Sequence, residues 1–145
     1  EIKKTFDVKD FKLNQLIIDD ITKQKLSKRI NTTNFFIIES NTKILGYAYV
    51  DKAPSKTDEF DYLILLNKDL IIAKTKILVY REDYGGEIGS KRWLKQFIGK
   101  KATDNLQYEK DIIPISGATI SALSMTNAVN SFLLDLEVLY KNKAF

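Results

Sequence analysis

The chain has 145 residues, 44% of them hydrophobic and 29% charged, with a formal net charge of +4. This is the size and balance of one soluble globular domain with a core of its own, and no apolar run is long enough to span a bilayer. Cys and His are both absent, which excludes zinc fingers, Ser-His-Asp and Cys-His catalysis, His-ligated haem and disulfides.

The lysines are scattered among Asp and Glu, whereas a nucleic-acid surface needs a concentrated basic stripe, so no nucleic acid is expected as a partner. Oxygen-ligand metal sites stay possible in principle, but no Asp/Glu spacing resembles a calcium loop and no metal ligands are singled out. Chemistry must therefore rest on carboxylates, hydroxyls, tyrosines, lysines or an organic cofactor. The first residue is Glu1 rather than Met, and we expect that an upstream segment has been removed. The lack of Cys fits an oxidising compartment. Mild basicity fits a surface facing anionic membrane lipid.

In chain order, Asp10 to Ile30 reads as a helix, with Leu13, Leu16, Ile17, Ile21 and Leu26 near a 3.6-residue period. Asn31-Thr32-Thr33-Asn34 ends it. Phe35–Glu39 and Ile44–Val50 read as strands joined by the turn Ser40-Asn41-Thr42-Lys43, a first hairpin. Ala53 to Glu59 is a polar loop containing Pro54. Phe60–Leu66 and Leu70–Tyr80, split by Asn67-Lys68-Asp69, form a second hairpin rich in Ile, Leu, Val and Tyr.

Arg81 to Ser90 follows, with three glycines (Gly85, Gly86, Gly89) in five residues, a loop that must bend or be approached closely. Ser90 can cap a short helix carrying Trp93, Leu94 and Phe97, which Gly99 ends. A polar stretch leads through Ile112-Ile113-Pro114-Ile115 to Ser116-Gly117-Ala118-Thr119. From Ser121 to Tyr140, the positions Leu123, Val129, Leu133, Leu136 and Tyr140 mark a last helix. The sum is an α+β domain with an antiparallel sheet of two hairpins and flanking helices. There is no strand–helix alternation and no G-x-G-x-x-G, which disfavours a dinucleotide-binding sheet.

Ser116-Gly117-Ala118-Thr119 is the segment richest in chemistry. Small residues let backbone come close to a ligand, and a hydroxyl then stands where a helix begins. Helix N-termini carry unpaired N–H groups and partial positive charge, which suits a phosphate-bearing cofactor. Thr119 and Ser121 would equally serve as ordinary N-cap residues.

The order of parts resembles the FMN-binding domain family, which includes flavin-carrying subunits of the sodium-pumping NADH:quinone reductase and of Rnf-type complexes. The resemblance covers roughly residues 34–140. It is carried by Ser-Gly-Ala-Thr with Ile120-Ser121 and Asn127-Ala128-Val129, then by Tyr84-Gly85-Gly86-Glu87-Ile88-Gly89, and by Trp93, Gln96-Phe97 and Gly99-Lys100. It implies residues 34–145 as an FMN-binding domain, preceded by a helical segment, 1–33, that packs on the domain or leads into it.

The resemblance implies FMN as cofactor, and a phosphoester to Thr119 made by a separate flavin transferase. The family pattern places an Asp three residues before the Ser; here Ile113 stands there and the nearest Asp is Asp111, so covalent and non-covalent attachment both stay open. The candidate cofactor contacts are Ser116, Gly117, Ala118, Thr119, Ser121, Tyr84, Gly85, Gly86, Glu87 and Trp93. Trp93 shares a helix face with Phe97, which suits core packing as well as a ring contact.

The function implied is an electron carrier with protein redox partners. It would work outside the cytoplasm, periplasmic or anchored at a membrane, after loss of an export signal. Two alternatives accompany it: a flavin-dependent reductase of a small organic substrate, with Tyr84 or Glu87 as proton donor, and a cofactor-free interaction module of the same fold.

Overall fold

A computed structural model describes residues 1–27, 30–31 and 33–145. Five antiparallel strands form one sheet in chain order: β1 (Lys12–Gln15), β2 (Phe35–Ser40), β3 (Lys43–Pro54), β4 (Glu59–Asn67) and β5 (Ile72–Val79). The α-helices are α1 (Ile2–Phe6), α2 (Asp20–Lys25), α3 (Lys91–Leu94) and α4 (Thr119–Lys141). The α+β architecture expected from the sequence is the one observed.

Both expected hairpins form. Asn41 and Thr42 close the first with φ of 51° and 66°, the sign that a two-residue hairpin turn needs to match strand twist. The two hairpins are themselves joined as a third, because β3 runs on to Pro54 and pairs it with Glu59. The polar loop is thus only the turn 55–58.

Alternation sorts the strands between two faces. Phe35, Tyr47, Tyr49, Phe60, Tyr62, Ile64 and Leu66 point to the main core. Ile38, Ala48, Leu63 and Leu65 point to the other face, where Ile2 and Phe6 of α1 and Phe11 cover them. The middle of β4, Tyr62 to Leu66, is buried on both sides.

The main core lies between the sheet and α4. Ala122, Met125, Val129, Phe132, Leu133, Leu136 and Leu139 are buried, a stripe at helical spacing. Phe132 stacks on Tyr49 with ring centroids 4.3 Å apart, and Tyr49 donates its hydroxyl proton to Asp51 at 2.7 Å. Burial pushes the Tyr49 phenol far above the ordinary tyrosine range, and the neighbouring Tyr62 and the Asp51 contact add to it. Two expected contact positions sit instead on the outer face: Leu123 is 43% exposed and Tyr140 68% exposed. Small or flexible residues, Ala122 and Met125, take the inward places.

The helix expected over Asp10–Ile30 does not form. Its first part is β1, which pairs with β2 from Lys12↔Glu39 to Gln15↔Phe36. Leu16 and Ile18 are then buried while Ile17 is exposed, the two-residue alternation of extended chain. Only Asp20–Lys25 is helical, with Asp19 capping it through Thr22 N–H at 2.7 Å. The apolar positions fit a 3.6-residue period, but sheet pairing and an internal cap win over it. Lys28 and Arg29 of that expected helix, and Thr32 of the turn after it, lie outside the described residues.

Candidate functional site

Three segments distant in sequence build a cleft at one end of β5. The first is the β3–β4 turn, the second the chain leaving β5, and the third the entry into α4.

The chain leaving β5 is fastened at each step. Arg81 makes a two-pronged contact with Asp61, 2.8 and 3.0 Å, and also donates to the Glu59 carbonyl at 2.9 Å. This guanidinium holds the Asp61 carboxyl below the usual carboxylate range. Glu82 accepts from the Thr57 N–H at 3.0 Å and its hydroxyl at 2.6 Å, and the hydroxyls of Ser55 and Thr57 hold its carboxyl below the usual range. The Tyr80 hydroxyl donates to the Tyr84 carbonyl at 2.9 Å and shares a hydrogen bond with the Ser121 hydroxyl at 3.1 Å. Tyr80 therefore ties the glycine loop to the first turn of α4.

Gly85 turns the loop with φ of 84°, and a Cβ there would lie 2.4 Å from the Tyr80 hydroxyl oxygen and 3.7 Å from the Gly117 carbonyl oxygen. A 3-10 turn follows, Gly86–Gly89, anchored by the fully buried Ile88.

The opposite wall is the Ser-Gly-Ala-Thr segment. Gly117 has φ of 86°, and a Cβ on it would lie 2.9 Å from a Glu87 carboxylate oxygen. Ala118 is the cap residue of α4, and Thr119 is its first helical residue. No side chain caps this helix and its first turn holds no acidic residue, so the first-turn N–H groups and the positive end of the helix dipole are available to an anion. Thr119 is exposed and Ser121 is buried. The N-cap alternative for their hydroxyls is not what the fold uses: Ser121 bonds Tyr80 instead.

The cleft between these walls has a volume of about 640 Å³ and is lined by residues 56–57, 80–85 and 117–121. That volume falls within the usual range for cofactor sites. The lining charges are Lys56 and Arg81 against Glu82 and Asp83.

Of the residues singled out in the sequence, Gly117, Ala118, Thr119, Ser121, Tyr84 and Gly85 line this cleft together. Ser116 adjoins it along the chain and is exposed. Glu87 lies against Gly117 rather than in the lining. Gly86 stands off the cleft, with nothing within 4 Å of an added Cβ. Trp93 is placed in the core: it is 4% exposed, donates its indole N–H to the Ile113 carbonyl at 2.7 Å, and meets Phe97 edge-on. Four-residue spacing on a short helix served packing here. Ser90 precedes α3 without a side-chain cap bond.

Sequence reasoning missed Tyr80, Lys56, Thr57, Arg81, Glu82, Asp83 and Ile120. Tyr80 reads as the last residue of a strand, and Lys56-Thr57 as plain turn. Only the fold brings them to the motif.

A family comparison agrees with this geometry. The model of the FMN-binding domain family matches residues 55–134, more than half of the chain. The chain belongs to the FMN-binding domain family. The match opens in the β3–β4 turn and ends inside α4, so it spans all three segments of the cleft. A search of curated proteins gives no match.

The cofactor is FMN, and the residues present fit it. An uncapped helix start offers N–H donors to a phosphate, and Gly85 and Gly117, both at positive φ, let the two walls close up where a Cβ would strike Tyr80 and Glu87. The backbone of Ile113, at the position where the family pattern has Asp, is clamped by Trp93 and by the Gln96 amide, whose oxygen accepts from the Ile113 N–H at 2.8 Å. Ile113 itself is 71% exposed.

Proposed function

We propose that this FMN-binding domain is an electron-transfer protein, and that Thr119 carries the flavin phosphate through a phosphoester. The observation behind the attachment is the exposed Thr119 at an uncapped helix start, on the wall of a cleft built around Gly85 and Gly117. Bound FMN supplies reversible one- and two-electron chemistry. The chain's own residues bind and orient. The first-turn N–H groups of α4 receive the phosphate oxygens, and Lys56 offsets negative charge at the rim. Tyr80 holds the two walls at a fixed separation, and Gly85 and Gly117 let backbone approach closely.

A phosphodiester keeps one negative charge where the monoester of free FMN carries close to two, which suits a cleft where Glu82 and Asp83 balance the cations and Glu87 stands beside Gly117. Proteins are the natural electron donors and acceptors for such a site. The extracytoplasmic, membrane-tethered setting expected from the sequence belongs to the same proposal. Among the described residues no helix is long and apolar enough to cross a membrane, so on this proposal any tether is another part of the protein or a partner.

The test is expression with and without a flavin transferase, followed by intact mass, visible absorbance and stopped-flow reduction. Covalent flavin in wild type and none in Thr119→Ala is the expected result. Rapid reduction by a low-potential dye and onward transfer to a second acceptor should follow. Flavin that cannot be reduced reversibly, or that is reduced by one organic metabolite alone, would overturn the carrier reading in favour of a reductase.

A further inference from the structure

The positive charge of the chain is not evenly spread. A second, smaller groove of about 90 Å³ is lined by Lys74 and Lys76 of β5 and by Lys91 and Lys95 at α3, with Glu1, Gly89 and Ile98. Four ammonium groups against one carboxylate leave three positive charges there, against +4 for the whole chain. The groove already holds a carboxylate: Lys76 donates to Glu1 at 2.8 Å, and the Glu1 side chain is 17% exposed. That hydrogen bond, with the further field of Lys76 and Lys74, keeps the Glu1 carboxyl below the usual range. Ile98, 48% exposed, adds an apolar contact beside the lysines.

The groove and the cofactor cleft are joined by one element. Gly85, which lines the cleft, precedes the 3-10 turn Gly86–Gly89, and Gly89 at its far end lines the groove. Four residues of 3-10 helix advance about 8 Å.

We propose that this lysine groove docks a protein partner that presents clustered carboxylates, and that it seats the partner beside the cofactor cleft. The placement beside the cleft matters functionally only if the electron-carrier reading holds; the docking itself does not depend on it. A protein fits better than a membrane for two reasons. The lysines ring a recess that takes one carboxylate side chain, whereas a bilayer is flat and meets lysines on a convex face. The exposed Ile98 beside the charges suits a protein surface with an apolar centre and charged rim.

The experiment is an NMR titration of the FMN-loaded full chain with hexaglutamate peptide. Amide shifts should centre on residues 74–76 and 89–95. Lys91→Glu with Lys95→Glu should weaken binding about tenfold or more at about 0.05 M salt, and the difference should shrink at about 0.5 M. Lys43→Glu with Lys68→Glu makes the same change in net charge at hairpin ends elsewhere and should alter affinity by less than about twofold. If the first pair fails to fold, Lys74→Gln with Lys76→Gln replaces it. Equal weakening by both pairs, or shifts centred elsewhere, would overturn the proposal. So would binding of mixed phosphatidylglycerol–phosphatidylcholine vesicles through these lysines with no peptide binding, which would make the groove a lipid surface. Flavin absorbance of each sample keeps the two readings apart: lost flavin with retained peptide binding counts against the carrier and leaves the groove standing.

Discussion

Gly85 and Tyr80 allow a quantitative test of how the cleft is held. In Gly85→Ala the new methyl would sit 2.4 Å from the Tyr80 hydroxyl oxygen, so that hydroxyl must leave. Its two hydrogen bonds, to the Tyr84 carbonyl and the Ser121 hydroxyl, are each worth about 1 kcal/mol. Forcing a non-glycine residue to φ of 84° costs about 1–2 kcal/mol more. The expected total is about 3–4 kcal/mol of fold stability, because the flavin-free protein carries both the strain and the lost hydrogen bonds. Tyr80→Phe alone should cost about 2 kcal/mol, the two hydrogen bonds. On that background Gly85→Ala should cost only the backbone term, because the nearest remaining ring atom, the Tyr80 Cζ, is 3.5 Å from the added carbon. The double mutant should thus fall short of additivity by about 2 kcal/mol. Urea unfolding of each flavin-free variant measures the cycle, with FMN titration followed by absorbance alongside. Gly86→Ala, where the methyl meets open space, is the near-neutral control. Additive costs within about 0.5 kcal/mol would refute the clasp.

Other expectations follow from the same geometry. In protein made with a flavin transferase, Thr119→Ala should abolish flavin that survives denaturation while Ser121→Ala retains it, as read by mass and in-gel fluorescence. Phe132→Ala removes the ring stacked on Tyr49 and should cost about 3–5 kcal/mol by denaturant unfolding. The lowered carboxyl of Glu82 gives stability that is present above its unfolded-state pKa and lost as pH falls through the lower folded one. Glu82→Gln should therefore flatten the acid limb of the stability–pH curve below about pH 4 and leave its alkaline side unchanged. Thr42, a β-branched residue at φ of 66°, should be improved by Thr42→Gly, which we expect to raise stability by about 1 kcal/mol in thermal melts.

The sequence carries much of this design, and its limits have physical causes. Strands β2 to β5 are legible because alternation and turn residues agree. The start of α4 is legible because small residues precede a long amphipathic run. Asp10–Ile30 misleads because Leu13, Ile17 and Ile21 stay exposed, at 45%, 87% and 71%; apolar residues at helical spacing need not share a buried face. For the site, the two glycine-bearing loops announce themselves through residue types that only tight backbone requires. Trp93 does not, since an indole serves core and cofactor equally well until its N–H partner is known. Tyr80 is illegible for a different reason: its role depends on Ser121, 41 residues away, and no local pattern encodes that meeting.

The double burial of β4 bears on how this protein should be trimmed for study. The family match begins at residue 55, just past the end of β3, yet β3 pairs with β4 along its whole length from Gly46↔Asn67 to Pro54↔Glu59. A fragment cut to the matched residues would retain every wall of the cleft and still strip the sheet of β1, β2 and β3. The bare flank of β4, with its hydrophobic side chains on both faces, would then become an adhesive edge for other copies. Recognisable boundaries and self-sufficient boundaries differ here, and a shorter version intended to bind flavin should keep β2 and β3.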